Sequence, residues 1–184
     1  MKQITRRFVL AAASMAVLSG CANGLGGNGA ATIDARVDAA LDYLHSAYPG
    51  TRALADKAAG MLVMPLVTRV GFGLGGAYGR GALRIGGVSV DYYATAKASF
   101  GLQAGAQQYA HVLFFMTEEA LADFRRSPGW AVGADIRYVL KNEGETIAVD
   151  TTTTLAPVIA VVFGQAGLIA GATIEGTKYT RIIP

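Results

Sequence analysis

Apolar residues change their spacing several times along the chain, and each change predicts a different element. Between Phe8 and Leu18 they form an uncharged run behind Lys2, Arg6 and Arg7, well short of the roughly 20 residues that span a bilayer as a helix. From Ile33 the spacing turns helical. Ile33, Val37, Ala40, Leu41 and Leu44 recur with Asp34, Arg36, Asp38 and Asp42 between them, which predicts an amphipathic helix over 33–47. Pro49-Gly50 stops it, and a shorter helix is expected over Thr51–Ala59, ended by Gly60.

From Met61 to Met116 the helical period disappears, and β-branched, aromatic and glycine residues follow in short runs that read as consecutive strands. Gly71, Gly73, Gly75, Gly76, Gly79, Gly81, Gly86 and Gly87 are too many for a flat sheet, but they suit a curved or bulged one whose backbones approach closely. Thr117 can cap a helix that opens with Glu118 and Glu119 and closes with Arg125 and Arg126, so both ends complement its dipole. Further strands are expected near 131–141, 145–151, 157–163 and 167–183. The stretch Thr151–Ile174 carries no charge over 24 residues. Pro157, Gly164, Gln165, Gly167 and Gly171 argue against a membrane span there and for two buried strands joined at Gly164-Gln165-Ala166-Gly167.

The N-terminus has the layout of a secretory signal, a basic stretch followed by a short apolar core. Leu18-Ser19-Gly20-Cys21 then forms a lipobox, in which small residues let a signal peptidase reach the backbone and the thiol takes a diacylglycerol. Cys21 is the sole cysteine, so no internal disulfide is possible, and palmitate-type acylation accounts for its reactivity. Two or three acyl chains, at roughly 0.8 kcal/mol per buried CH₂, hold a protein firmly in a bilayer. Thr5-Arg6-Arg7-Phe8-Val9-Leu10 also fits a twin-arginine signal, which leaves the export route open. Ala22 in place of Asp favours the outer membrane, by resemblance to bacterial sorting signals. Three segments are therefore expected: a signal peptide over 1–20, the lipidated cysteine with a Gly-rich tether over 21–32, and one domain over 33–184. The tether spans on the order of 20 Å and reaches about 35–40 Å when stretched.

Charge changes this picture once. The formal net charge of +3 comes from 16 Lys and Arg against 13 Asp and Glu. Lys2, Arg6 and Arg7 leave with the signal, so the mature protein is neutral. A basic-protein argument for nucleic-acid binding fails on that ground. Within 61–110, however, Arg69, Arg80, Arg84 and Lys97 face Asp91 alone. These four are the candidate lipid-binding residues, a basic rim for phospholipid headgroups, each contributing up to about 1 kcal/mol near an anionic surface. Ordinary solvated barrel positions account for them more simply. Phe72, Tyr78, Tyr92, Tyr93 and Trp130 serve either as interfacial anchors or as core.

Catalytic chemistry finds little support. Gly71-Phe-Gly-Leu-Gly-Gly76 has the spacing of a dinucleotide loop, yet it leads into strand-like sequence with no helix to meet a pyrophosphate. His45 and His111 have no cysteine and no neighbouring histidine, which argues against a metal site. There is no G-x-S-x-G elbow, and Glu118-Glu119 is explained by helix capping. No catalytic residue, metal or cofactor is assigned.

Four blocks in order carry a family resemblance: Met64-Pro65 with Gly71–Gly81, Ala98–Gln107, Gly133-Ala134-Asp135, and Gly167–Gly176. Together, over about 36–180, they resemble the SYLF domain. That resemblance implies a non-enzymatic lipid-binding module. Eukaryotic members bind phosphoinositide membranes, some also actin, and bacterial members look like envelope lipoproteins. Two departures stand out. Ile136–Lys141 replaces a glycine-rich turn, and Phe163-Gly164-Gln165 stands where a Tyr-Ser and a basic residue are usual. The first helix is rich in Asp, so phosphoinositide specificity is not carried over, and actin is not expected as a partner.

The expectation is thus an α+β fold, a curved antiparallel β-sheet or barrel-like core with about three flanking helices, anchored in the cell envelope at the periplasmic face of the outer membrane. Its expected partners are membrane lipids. The alternative is a structural envelope protein that binds a protein partner and touches lipid only through Cys21.

Overall fold

The computed structural model describes residues 28–132, 136–140, 156–166, 174 and 176–184. The signal, Cys21, Gly133-Ala134-Asp135, the strand expected at 145–151 and the residues 167–173 lie outside this set, as do the side chains of 72–74, 99–104, 136–140 and 165–166. Three helices, α1 (Gly29–Ala47), α2 (Gly50–Lys57) and α3 (Glu118–Arg126), flank a sheet. Its strands are β1 (Gly60–Ile85), β2 (Val88–Phe115), β3 (Trp130–Ala131), β4 (Ile136–Leu140), β5 (Val158–Ala166) and β6 (Lys178–Ile182). The α+β class with a curved sheet and three helices is as the sequence predicts.

Helix α1 starts earlier than its apolar period does. Gly29–Thr32, assigned from sequence to the tether, form its first turn, with Thr32 N–H donating to Asn28 O at 2.9 Å and Thr32 Oγ1 donating to the same oxygen at 2.8 Å. Glycine content weakens a helix locally, but packing of the following apolar stripe decides where it begins. Helix α3 is bounded as expected. Thr117 Oγ1 accepts from Ala120 N at 3.2 Å, with Glu118 and Glu119 in the first turn and Arg125 and Arg126 in the last.

The region 61–116, read as consecutive short strands, is one hairpin of two very long strands. Gly86 (φ 58°) and Gly87 (φ 81°) make its two-residue turn, the left-handed pair that a type I′ connection requires, with Ile85 paired to Val88. Register shifts at Met64/Val67, Gly71/Gly73 and Leu83/Arg84 break the ladder into shorter spans and increase its twist. The ribbon consequently folds over itself, bringing Val63–Val67 onto Gly79 and Gly81. A Cβ on Gly81 would lie 2.0 Å from Val63 O, and one on Gly79 would lie 2.6 Å from Leu66 O. The glycine block is therefore a crossing point of the chain. The dinucleotide-like Gly71–Gly76 lies inside β1, away from any helix start.

Strand β2 is the centre of the sheet. One edge pairs with β1, and the other pairs with β6 over Tyr92–Ala96 and with β5 over Gln108–Phe115. All these pairs are antiparallel, and β4 adds to β5 in parallel. β5 departs from the expected turn at Gly164, since it continues to Ala166. Gly164 (φ 61°) sits at the register shift opposite Gln108/Ala110, so it is a bulge inside a strand. No helix among the described residues is long and apolar enough to cross a membrane.

Strand alternation splits the core in two. Leu62, Met64, Leu83, Tyr93, Leu113, Phe115 and Tyr179 face α3 and Trp130 on one side. Val63, Ala82, Val112, Phe114 and Ile159 face Ile33, Val37, Leu44 and Leu54 of α1 and α2 on the other. Phe124 of α3 centres the first cluster, its ring 4.7 Å from Tyr93, 4.8 Å from Phe115 and 5.4 Å from Trp130. Tyr93 and Trp130 are therefore core residues. Tyr92 is half-buried and tied to α1, Tyr78 is exposed, and the Phe72 side chain lies outside the described set.

Candidate functional site

Helix α1 carries three stripes, set by 3.6 residues per turn. Ile33, Val37 and Leu44 point into the core. On one flank lie Asp34 and Asp38, and on the opposite flank lie Thr32, Arg36, Ala39 and Tyr43. The acidic flank is fully engaged with the hairpin. Asp34 accepts from Ser89 Oγ at 2.7 Å and from Tyr92 Oη at 2.8 Å. Asp38 pairs with Arg84 at 2.7 Å. Burial, followed by the bond to Asp34, raises the pKa of Tyr92.

The opposite flank borders two concavities. The first, about 430 Å³, lies between the start of α1 and the crossing ribbon, with Thr32 and Arg36 on one wall and Leu66, Thr68, Tyr78 and Arg80 on the other. The second, about 440 Å³, runs on between α1 and the sheet, lined by Ala39, Ala40, Tyr43, Tyr109 and Phe163. Arg36, Pro65 and Leu66 belong to both. Neither Arg36 nor Arg80 has a hydrogen-bond or ion-pair partner among the described residues. Exposed apolar surface lines the first concavity with them: Tyr78 is 56% exposed and Leu66 38%.

The four cations singled out from sequence do not share one location. They occupy separate ladder positions, Arg69 opposite Gln107, Lys97 opposite Ala77, Arg80 opposite Ala94 and Arg84 opposite Ser89. Arg80 lines the first concavity. Arg84 is instead a strut between hairpin and helix. Only 13% of its side chain is exposed, and it binds Asp38, Ser89 Oγ at 3.1 Å and Gly87 O at 3.2 Å. Arg69 acts on Tyr109, whose pKa is raised by burial and drawn back by the guanidinium. Lys97 is half-buried on β2. Arg36, which joins Arg80, was not among the sequence candidates. Its signal was available, as the one cation on a helix otherwise charged by Asp34, Asp38 and Asp42.

The histidines are structural. His45 Nδ1 lies 2.8 Å from Thr51 Oγ1, and burial, followed by Arg52, lowers its pKa. His111 is buried in β2. Among the described residues, no group of three or more His, Cys, Asp or Glu side chains is placed to hold a metal ion.

Residues 96–181 match the family model described as Ysc84: Las17-binding protein actin regulator. Over that stretch the chain is similar to the SYLF family, in keeping with the resemblance carried by its glycine blocks. The match runs from the middle of β2 to β6, so it takes in three of the four glycine blocks. Met64–Gly81 lies before it. The SYLF family description names a binding protein. No curated protein matches the chain.

Proposed function

We propose that this protein is an envelope lipoprotein, held at the periplasmic face of the outer membrane by acylated Cys21, whose SYLF-type domain contacts phospholipid without catalysing a reaction. The observation that carries the lipid-contact reading is the flank of β1 and α1 where Arg36 and Arg80, without acidic partners among the described residues, line one cavity with exposed Leu66 and Tyr78. Cations beside exposed aromatic and aliphatic side chains are what a headgroup region accommodates. The lipobox at Cys21 supports the anchor, and a tether of a few nanometres keeps this flank within reach of the bilayer.

A second reading, a domain that binds a protein partner and touches lipid only through its anchor, is favoured by the protein-binding description of the matched family. Vesicle flotation separates the two. The full chain carrying Cys21→Ser is mixed with phosphatidylcholine vesicles with and without phosphatidylglycerol. Flotation that rises with anionic lipid and falls with salt supports direct contact. Absence of flotation on every vesicle would leave the protein-partner reading. Mass spectrometry of the protein purified from membranes should show Cys21 as an acylated N-terminus, and an unmodified thiol with residues 1–20 still attached would remove the anchor.

A further inference from the structure

We propose that the two concavities flanking Leu66 form one site for a monomeric anionic amphiphile with a single chain, a fatty acid or a lysophospholipid, head beside Arg36 and Arg80 and chain along Tyr43 and Phe163. The proposal rests on the lipid-contact reading and goes beyond it. It assigns a concave site for one molecule where that reading needs only a surface.

Three observations carry it. First, the spaces adjoin, because Arg36, Pro65 and Leu66 line both. Each falls in the range of about 300–1,000 Å³ found for small-ligand sites, with volumes of about 430 and 440 Å³. Second, their chemistry is divided as an amphiphile divides. The cavity is lined by Arg36 and Arg80 with Thr32, Thr68 and Tyr78, whereas the groove presents Ala39, Ala40, Tyr43 and Phe163. Third, neither arginine forms an ion pair among the described residues. Of the three carboxylates on the same helix, Asp34 and Asp38 are held on the other flank by Ser89, Tyr92 and Arg84, and Asp42 makes no ion pair with either arginine. Two arginines lining one partly enclosed space favour an anion there, and their planar donors suit carboxylate and phosphate alike.

Displacement of a fluorescent fatty acid from the full chain carrying Cys21→Ser, at concentrations below micelle formation, tests this. Fatty acids, lysophosphatidic acid and fatty alcohols of matched chain length are compared as competitors. Saturable one-to-one binding is expected, tightening by about fourfold per added CH₂ until the groove is full. The alcohol should bind at least about tenfold more weakly than the acid, given the strength of charge-assisted bonds. Arg36→Gln and Arg80→Gln should each weaken the acid by about tenfold, and together they should erase its advantage over the alcohol. Leu66→Asn, checked for an unchanged melting curve, should weaken acid and alcohol equally. Which anionic head binds tighter tells carboxylate from phosphate as the source. Acid and alcohol binding alike, or arginine variants that bind as the parent does, would overturn the proposal. So would vesicle flotation without monomer binding, although surface contact would then stand. Loss of both would remove both readings.

Discussion

His111 and Tyr179, 68 positions apart in sequence, meet inside the sheet with Nε2 and Oη 2.6 Å apart. The contact joins β2 to β6 at a point where neither side chain reaches solvent. His111 Nδ1 has no hydrogen-bond partner among the described residues, so this bond is the imidazole's one polar tie there.

Burial lowers the His111 pKa to about 3, from about 6.5 in an unfolded chain. With the folded value the lower one, the unfolded chain takes up the proton first as the pH falls. Stability from this group is therefore full above about pH 7 and is lost through the window from about 6.5 to about 3. Between pH 7.5 and 5.5 the loss should be about 1.4 kcal/mol. Urea unfolding at the two pH values measures it. His111→Gln should remove that component, and an undiminished pH dependence in the variant would assign it to other groups.

Tyr179→Phe removes the hydroxyl while keeping the ring that packs on Phe124 and Trp130. It should destabilise the protein by about 1–3 kcal/mol, the range for stranding a buried polar partner. Chemical denaturation at pH 7.5 checks this. A change under about 0.5 kcal/mol would mean that the imidazole finds another partner.

Glycine substitutions should separate crossing points from open positions. Gly81→Ala places a Cβ 2.0 Å from Val63 O, where backbone must move, and should cost more than about 3 kcal/mol. Gly76→Ala meets only Lys97 O at 3.5 Å. It should be neutral, or stabilising by up to about 1 kcal/mol through the lost freedom of the unfolded chain. Thermal melts of the two variants give the comparison directly, and similar melting points would contradict the folded-over ribbon.

Arg84→Gln should affect stability and leave lipid binding alone. Losing the bonds to Asp38, Ser89 and Gly87 should cost about 1–2 kcal/mol, largely through bonds on its buried side. Arg80→Gln should do the reverse, with little change in melting and weaker flotation on anionic vesicles. An exchange of these two phenotypes would reverse the assignment of the two arginines.

Helix α3 was legible in sequence because its signals are local. A capping threonine, acidic first turn, basic last turn and a following Ser-Pro-Gly all lie within thirteen residues. Glycine density announced curvature, and its source, the Val63–Val67 crossing over Gly79 and Gly81, became visible only in space. Gly164 read as a turn because glycine marks turns and bulges alike, and only its pairing with β2 tells them apart. Charge excess between 61 and 110 pointed to cations but could not divide them, since a strand register with three shifts changes which residues share a face.

What the sequence determined by itself was the kinds of element, their order and the curvature of the sheet. These depend on periodicity and caps within one or two turns of the chain. Only the tertiary structure decided that Arg84 is withdrawn into a bond with Asp38 while Arg36 and Arg80 share an open cavity. The physical reason is that such contacts join residues some 40 or more positions apart in sequence, and their meeting depends on how a long bulged ribbon coils over itself.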